Sequence, residues 1–234
     1  MRDAEDPTAV TKPVFHSVRG TRDHARLPAA LLALLLAICL AAGWAPPAGH
    51  QSYLLEVVPG LAGVAFFAAV YRRFPMSHLV YGCWFVHVLI LVYGGIYTYA
   101  ETPLGNWARD TFHLSRNHYD RVGHLALGFF PALTIREVLL RRTPLAPGGW
   151  FTFITLSIVL AIGAFWELVE WWTTLVVAGD VGTAFLGSQG DPWDAQWDML
   201  LALVGAALAL PLLSRAHDRS MRRAGILAED APPA

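Results

Sequence analysis

Six stretches of the chain are almost wholly apolar, and shorter polar segments separate them. They run over about 27–45, 54–71, 78–99, 118–140, 150–178 and 194–214. Each comes close to the ~20 residues that an α-helix needs to cross the hydrocarbon core of a bilayer. The pattern predicts an all-α fold, an integral membrane bundle of six transmembrane helices. The fifth run is longer than a crossing requires, so that helix is expected to tilt or to project past the bilayer.

The polar segments are of two kinds. "RRFPMS" and "RRTPLAPGG" are short and basic, whereas "AETPLGNWARDTFHLSRNH" (100–118) and "GDVGTAFLGSQGDPWD" (179–194) are long and rich in Gly, Asp and aromatic residues. If the basic segments and both termini are cytoplasmic, only Arg109, Arg116 and Arg121 of the 17 basic residues lie outside. The positive-inside rule then gives an N-in, C-in topology, which an even number of spans requires. Residues 1–26 read as a disordered cytoplasmic tail, 27–215 as the six-helix domain and 216–234 as a second cytoplasmic tail. The first run reads as an uncleaved span, because Pro46 and Pro47 follow it and no clean small-x-small cleavage site appears. No internal repeat is visible, which argues against an inverted-repeat transporter.

Composition narrows the class further. The chain is 55% hydrophobic and 15% charged, with a mean hydropathy of +0.44. That leaves too little polar surface for a soluble domain of 234 residues. Of the nine tryptophans, Trp44, Trp107, Trp150, Trp171, Trp172 and Trp193 fall near helix ends, where an aromatic belt is expected. Cys39 and Cys83 lie in different spans without CxxC spacing and read as small apolar residues. The basic residues are placed by topology, so no nucleic-acid partner is expected. There is no Ser-nucleophile motif, P-loop, HExxH or dinucleotide fingerprint.

The candidate chemistry lies in the charges inside the spans, where a charged side chain costs about 2.5–3.5 kcal/mol on insertion scales and usually faces the bundle or a cavity. Asp120 and His124 stand at i,i+4 on one face of the fourth span, which continues through Gly128 and Pro131. Glu167 and Glu170 stand at i,i+3 in the fifth, with Gly163 below. Asp194 and Asp198 lead into Ala202, Gly205 and Ala209 in the sixth, and Glu56 in the second is followed by Gly60 and Gly63. Small residues let membrane helices approach closely. These stripes are expected to face one another and to bring the acids together. By helical rise, His124 lies about 9 Å below the outer start of its helix, and Asp198 about 6 Å below Asp194.

Against this stand plainer readings. Glu56, Asp180 and Asp191 read as wetted interface residues. Asp120 suits a first helical turn, or a pair with Arg116 or Arg121. His87 is open between a functional group and a histidine satisfied by tyrosine or backbone partners. Arg136 and Glu137 read as snorkelling side chains or a local pair. The candidate catalytic residues are Asp120, His124, Glu167 and Glu170. The candidate metal ligands are His124, Glu167, Glu170, Asp194 and Asp198, and the candidate cofactor is a divalent cation that would offset the clustered negative charge. The competing account has the carboxylates sharing protons and waters.

At "SRNHYDRVGHLALGFFPALTIREVL", "FWELVEWW" and "FLGSQGDPWDAQWDMLLALVGA" the chain resembles the YjdF-like bacterial inner-membrane family, a domain of unknown function, over about residues 30–215. The resemblance implies a multi-pass protein of the bacterial cytoplasmic membrane. A weaker likeness is to VanZ-like membrane proteins, which carry Asp-x-x-x-His, Glu-x-x-Gln and Asp-x-x-x-Asn elements. Asp120 and His124 match the first and Glu167 begins the second, while Glu170 and Asp198 put acids where that pattern has amides. Three function classes follow: an enzyme or binder of a lipid-linked or envelope ligand, a proton- or cation-coupled permease, or a membrane scaffold. Membrane lipid and a small-molecule or lipid-linked ligand are the expected partners.

Overall fold

The computed structural model describes residues 14–16, 18–177 and 179–229. Among the described residues, six helices are long and apolar enough to cross a membrane. They are α1 (Arg22–Gly43), α2 (His50–Val70), α3 (His78–Tyr97), α5 (Tyr119–Arg142), α6 (Gly149–Val176) and α8 (Asp194–Arg223). Two short helices were not anticipated from the hydrophobic pattern. α4 (Pro103–Phe112) follows a 3-10 turn at Tyr99–Glu101, and α7 (Asp180–Leu186) precedes α8. Both belong to the long polar segments, at the end of the bundle opposite the two termini.

α5 and α8 form the most extensive helix pair and the axis of the bundle. Their small residues explain why. A Cβ on Gly128 would collide with the carbonyl of Ala202, and one on Gly205 with the carbonyl of Leu125. Gly163 of α6 meets the side chain of Ala202 as well. The stripes of α5, α6 and α8 therefore do face one another, and backbone-to-backbone approach of this kind is what holds helices together without a hydrophobic driving force. The stripe of α2 turns elsewhere: Gly60 packs on Val88 and Leu91 of α3, and Gly63 on Trp84. α1 lies at the periphery, with only Leu35 and Cys39 buried and Leu34, Leu36 and Leu40 exposed. Trp44, Trp107, Trp150, Trp171, Trp172 and Trp193 are exposed near helix ends, as an aromatic belt requires.

The end that carries the termini departs from expectation. α8 does not stop near 215 but runs to Arg223, burying His217, Asp218 and Met221. Met221, Ile226 and Leu227 pack with Leu139, Leu140 and Phe151, and that apolar cluster holds the chain beyond the span in place. Phe15 bridges Leu227, and the His16 N–H donates to the Ile226 carbonyl. Residues 1–13, 17 and 230–234, also expected as tails, lie outside the described residues, as does the side chain of Asp180.

Arg136 and Glu137 do not snorkel; both are buried. Glu137 accepts from Arg141 at 2.7 Å and from the Ser77 N–H at 3.1 Å, and it lies 3.0 Å from His217 Nε2. Arg136 donates to Asp218 at 2.8 Å and sits 3.0 Å from His217 Nδ1. Buried charges persist only when paired and hydrogen-bonded, and this network joins the start of α3 to α5 and α8.

Candidate functional site

The first turns of α5 are fixed by the segments on either side. The Asn117 carboxamide oxygen accepts from the Tyr119 N–H at 3.0 Å, and its nitrogen donates to the Thr102 carbonyl and to Asn106. Asn117 and Gln189 exchange two hydrogen bonds: the Asn117 N–H donates to Gln189 Oε1 at 3.1 Å, and Gln189 Nε2 donates to the Asn117 carbonyl at 2.8 Å. Gln189 takes a left-handed backbone with φ 47°, which a residue other than glycine adopts only where its surroundings hold it. The two long loops are thereby laced together over the mouth of the bundle.

Beneath that lacing lies an ion-pair network. Arg116 donates to the carbonyls of Gly187 and Ser188 and to Asp194 at 2.6 Å, and stands 3.7 Å from Asp120. Arg121 reaches Asp191 at 2.9 Å, Asp194 at 3.0 Å and Asp198 at 3.1 Å. The helical wheel turns Arg121 about 100° from Asp120, and α8 supplies carboxylates in that direction. Three aspartates placed among the candidate ligands, or at the interface, are thus met by two guanidiniums.

His124 lies on the other side of this network. Its Nδ1 stands 3.5 Å from Glu167 Oε1; its Nε2 stands 3.6 Å from Asp120 and 3.9 Å from Glu170. These are longer than hydrogen bonds. His124 Nδ1 and Glu167 Oε1 have no hydrogen-bond partner among the described residues, although both atoms are buried. Glu170 accepts from the Trp166 indole at 2.6 Å. Two overlapping trios, Asp120–His124–Asp198 and His124–Glu167–Glu170, each offer three ligand atoms lying within 4.8 Å of one another. Asp120, His124, Glu167, Glu170, Asp194 and Asp198 do converge, therefore, but they divide: Asp194 joins the arginine network, His124, Glu167 and Glu170 stand clear of it, and Asp198 is shared.

A cavity of about 170 Å³ opens beside the second group. Asp120, His124 and Glu170 line one side of it, and Glu56, His87 and Tyr99 line another. Glu56, expected as a wetted interface residue, is only 5% exposed, and its Oε1 has no partner. Its place above Gly60 and Gly63 was the available signal. Tyr99 was missed altogether. It seats its ring against Gly94 of α3 and Gly123 of α5, where no Cβ would fit, and burial pushes its hydroxyl well above the ordinary tyrosine value, so that it keeps its proton. His87 also faces this cavity, its Nδ1 unpartnered. Beyond the helix start, His118 is held below the ordinary histidine value, first by desolvation and then by Arg116 and Arg121.

A family model described as "Predicted membrane protein (DUF2238)" matches residues 27–219. The inner membrane protein YjdF of Escherichia coli (strain K12) is 42% identical over 176 residues, which cover 75% of this chain and 84% of that protein. No solved structure matches significantly.

Proposed function

The chain belongs to the predicted membrane protein family DUF2238, and we propose that it holds a divalent cation at the loop end of its bundle, where it binds or processes a lipid-linked or envelope ligand. One observation carries this reading: His124 Nδ1 and Glu167 Oε1 are buried, face each other and lack partners, with Glu170 completing the trio. His124, Glu167 and Glu170 are the ligands of choice, because Asp194 and Asp198 are already engaged by arginine. Mixed imidazole and carboxylate donors suit zinc or manganese. A bound divalent ion would polarise an ester or phosphoryl oxygen, or acidify a water. Asp120 stands 3.6 Å from His124 Nε2, where it would stabilise positive charge on the ring, and its Oδ2 faces Arg116 at 3.7 Å.

The protein is placed in the bacterial inner membrane, as its relative's name states of that protein. With both termini cytoplasmic, the site faces the outer leaflet. The permease alternative is less supported. Below the site, α5, α6 and α8 meet through Ala132, Val159, Ala202, Ala206 and Ala209, an apolar layer that favours a one-sided pocket. The test is elemental analysis of purified protein together with thermal unfolding under each divalent metal and under chelator. One metal should be retained and stabilising, and Glu167→Gln should abolish the effect. A melting temperature indifferent to every metal and to chelator, with no metal found, would leave carboxylates sharing protons instead.

A further inference from the structure

The cavity is larger and differently furnished than a metal ion requires. A single water needs only about 10–15 Å³ of such space, so an ion at His124, Glu167 and Glu170 leaves most of the 170 Å³ unfilled. Glu167 does not line it. Its walls include the rings of Trp84, Tyr99, Trp166 and Phe185 together with the carboxylates of Glu56 and Glu170. Trp166 and Phe185 meet edge to face, with centroids 6.3 Å apart. Glu56 is nine-tenths buried and presents an oxygen without a partner to the same space.

The charges leave a place for a second cation. Asp191, Asp194 and Asp198 are matched to Arg116 and Arg121. Glu56, Asp120, Glu167 and Glu170 remain; among the described residues their one arginine contact is the 3.7 Å approach of Arg116 to Asp120, and His124 stands 3.5–3.9 Å from the last three. A divalent ion on Glu167 and Glu170 still leaves Glu56 and Asp120, on the cavity side. Aromatic faces attract cations, most strongly when both are desolvated, and aromatic walls with a carboxylate are the usual receptor for an organic ammonium group. A small metal ion gains little from such rings.

We propose that this cavity binds an organic ammonium group, with Glu56 as its counter-ion and Trp84, Tyr99 and Trp166 as its aromatic wall. The group is a primary or quaternary amine, carried by a lipid headgroup or by a free solute. This gives the ligand of the proposed metal-assisted site a chemical class and rests on that reading. It also makes a division of labour, Glu56 for the ammonium group and Glu167 for the metal.

The full chain in a neutral detergent is titrated with ethanolamine and with choline, using sodium chloride at matched ionic strength as the control. Tryptophan emission and melting temperature are followed. At least one of the two amines should give a saturable response. Glu56→Gln should weaken it roughly thirtyfold, the loss of a desolvated cation partner, while leaving the metal response intact. Glu167→Gln should do the reverse. Trp166→Leu provides a second test of the wall should Glu56→Gln fail to purify, and it too should weaken the amine. Nanodiscs separate the sources. If a lipid headgroup is the ligand, phosphatidylethanolamine discs stabilise the protein over phosphatidylglycerol discs and added ethanolamine has no further effect. If a free amine is the ligand, it stabilises the protein equally in both. No saturable response to either amine, or one of wild-type strength in both variants, overturns the proposal. Loss of the metal response alone overturns only the metal reading.

Discussion

His124 and Glu167 confront each other across the α5–α6 contact, 3.5 Å apart, and among the described residues neither facing atom has a hydrogen-bond partner. Asp194, a few residues away in the same cluster, is gripped by two arginines. On the proposed cation reading, the difference separates ligand from scaffold. At a metal concentration a hundredfold above Kd, binding should add about 2.7 kcal/mol of stability, roughly 5–10 °C in Tm. His124→Gln should remove that gain, whereas Asp194→Asn should lower the starting Tm and keep the gain. Equal loss in both variants would merge the two groups again.

Arg121 serves three carboxylates at once. Arg121→Gln should therefore destabilise the protein, by about 3 kcal/mol at most, because the network is part-buried while the buried Asp198 would lose its cation. Adding Asp198→Asn should recover part of the loss. A double-mutant cycle on unfolding free energy measures this, and strict additivity would mean that the pair does not interact.

Much of the site was legible from spacing. The i,i+4 pair Asp120 and His124, the i,i+3 pair Glu167 and Glu170, and the small stripes beneath them fix which helix faces are buried. The partner of Arg121 was not legible, since its direction is a local property and what fills that direction depends on how α8 packs. Glu56 was misjudged for a similar reason. Its depth suggested water, but Tyr99 in the 3-10 turn and Phe185 in α7 close over the same cavity. Burial by a folded loop leaves no period in the sequence. Arg136 and Glu137 read from the sequence as snorkelling or locally paired; Glu137 does pair locally with Arg141, but a span ending near 214 gives no sign of His217 and Asp218, which meet them from the extended α8.

The α5–α8 contact sets a packing test. Gly205→Leu places a side chain against the Leu125 carbonyl and should split the pair, seen as loss of the monodisperse folded peak and of the cooperative melt. Gly82→Ala, on α3 with open space around it, should be neutral or slightly stabilising. Similar behaviour of the two would show that the close approach carries no energy.

Orientation has its own experiment. In a chain with Cys39 and Cys83 replaced by alanine, Gly190→Cys should react with an impermeant maleimide on intact spheroplasts. Ala224→Cys should react only after permeabilisation. The opposite pattern would put the site on the cytoplasmic side and reverse the positive-inside assignment.

The arginine network also has a direction in time. Arg116 and Arg121 leave the ribosome well before Asp191, Asp194 and Asp198, the carboxylates that neutralise them. A nascent chain with five spans inserted holds two guanidiniums at the mouth of α5 without the three aspartates that pair with them, and Gly128 without the Ala202 carbonyl it packs against. Synthesis of α8 ends both conditions in one step. A chain truncated before α8 is thus marked twice, by unpaired charge and by exposed backbone.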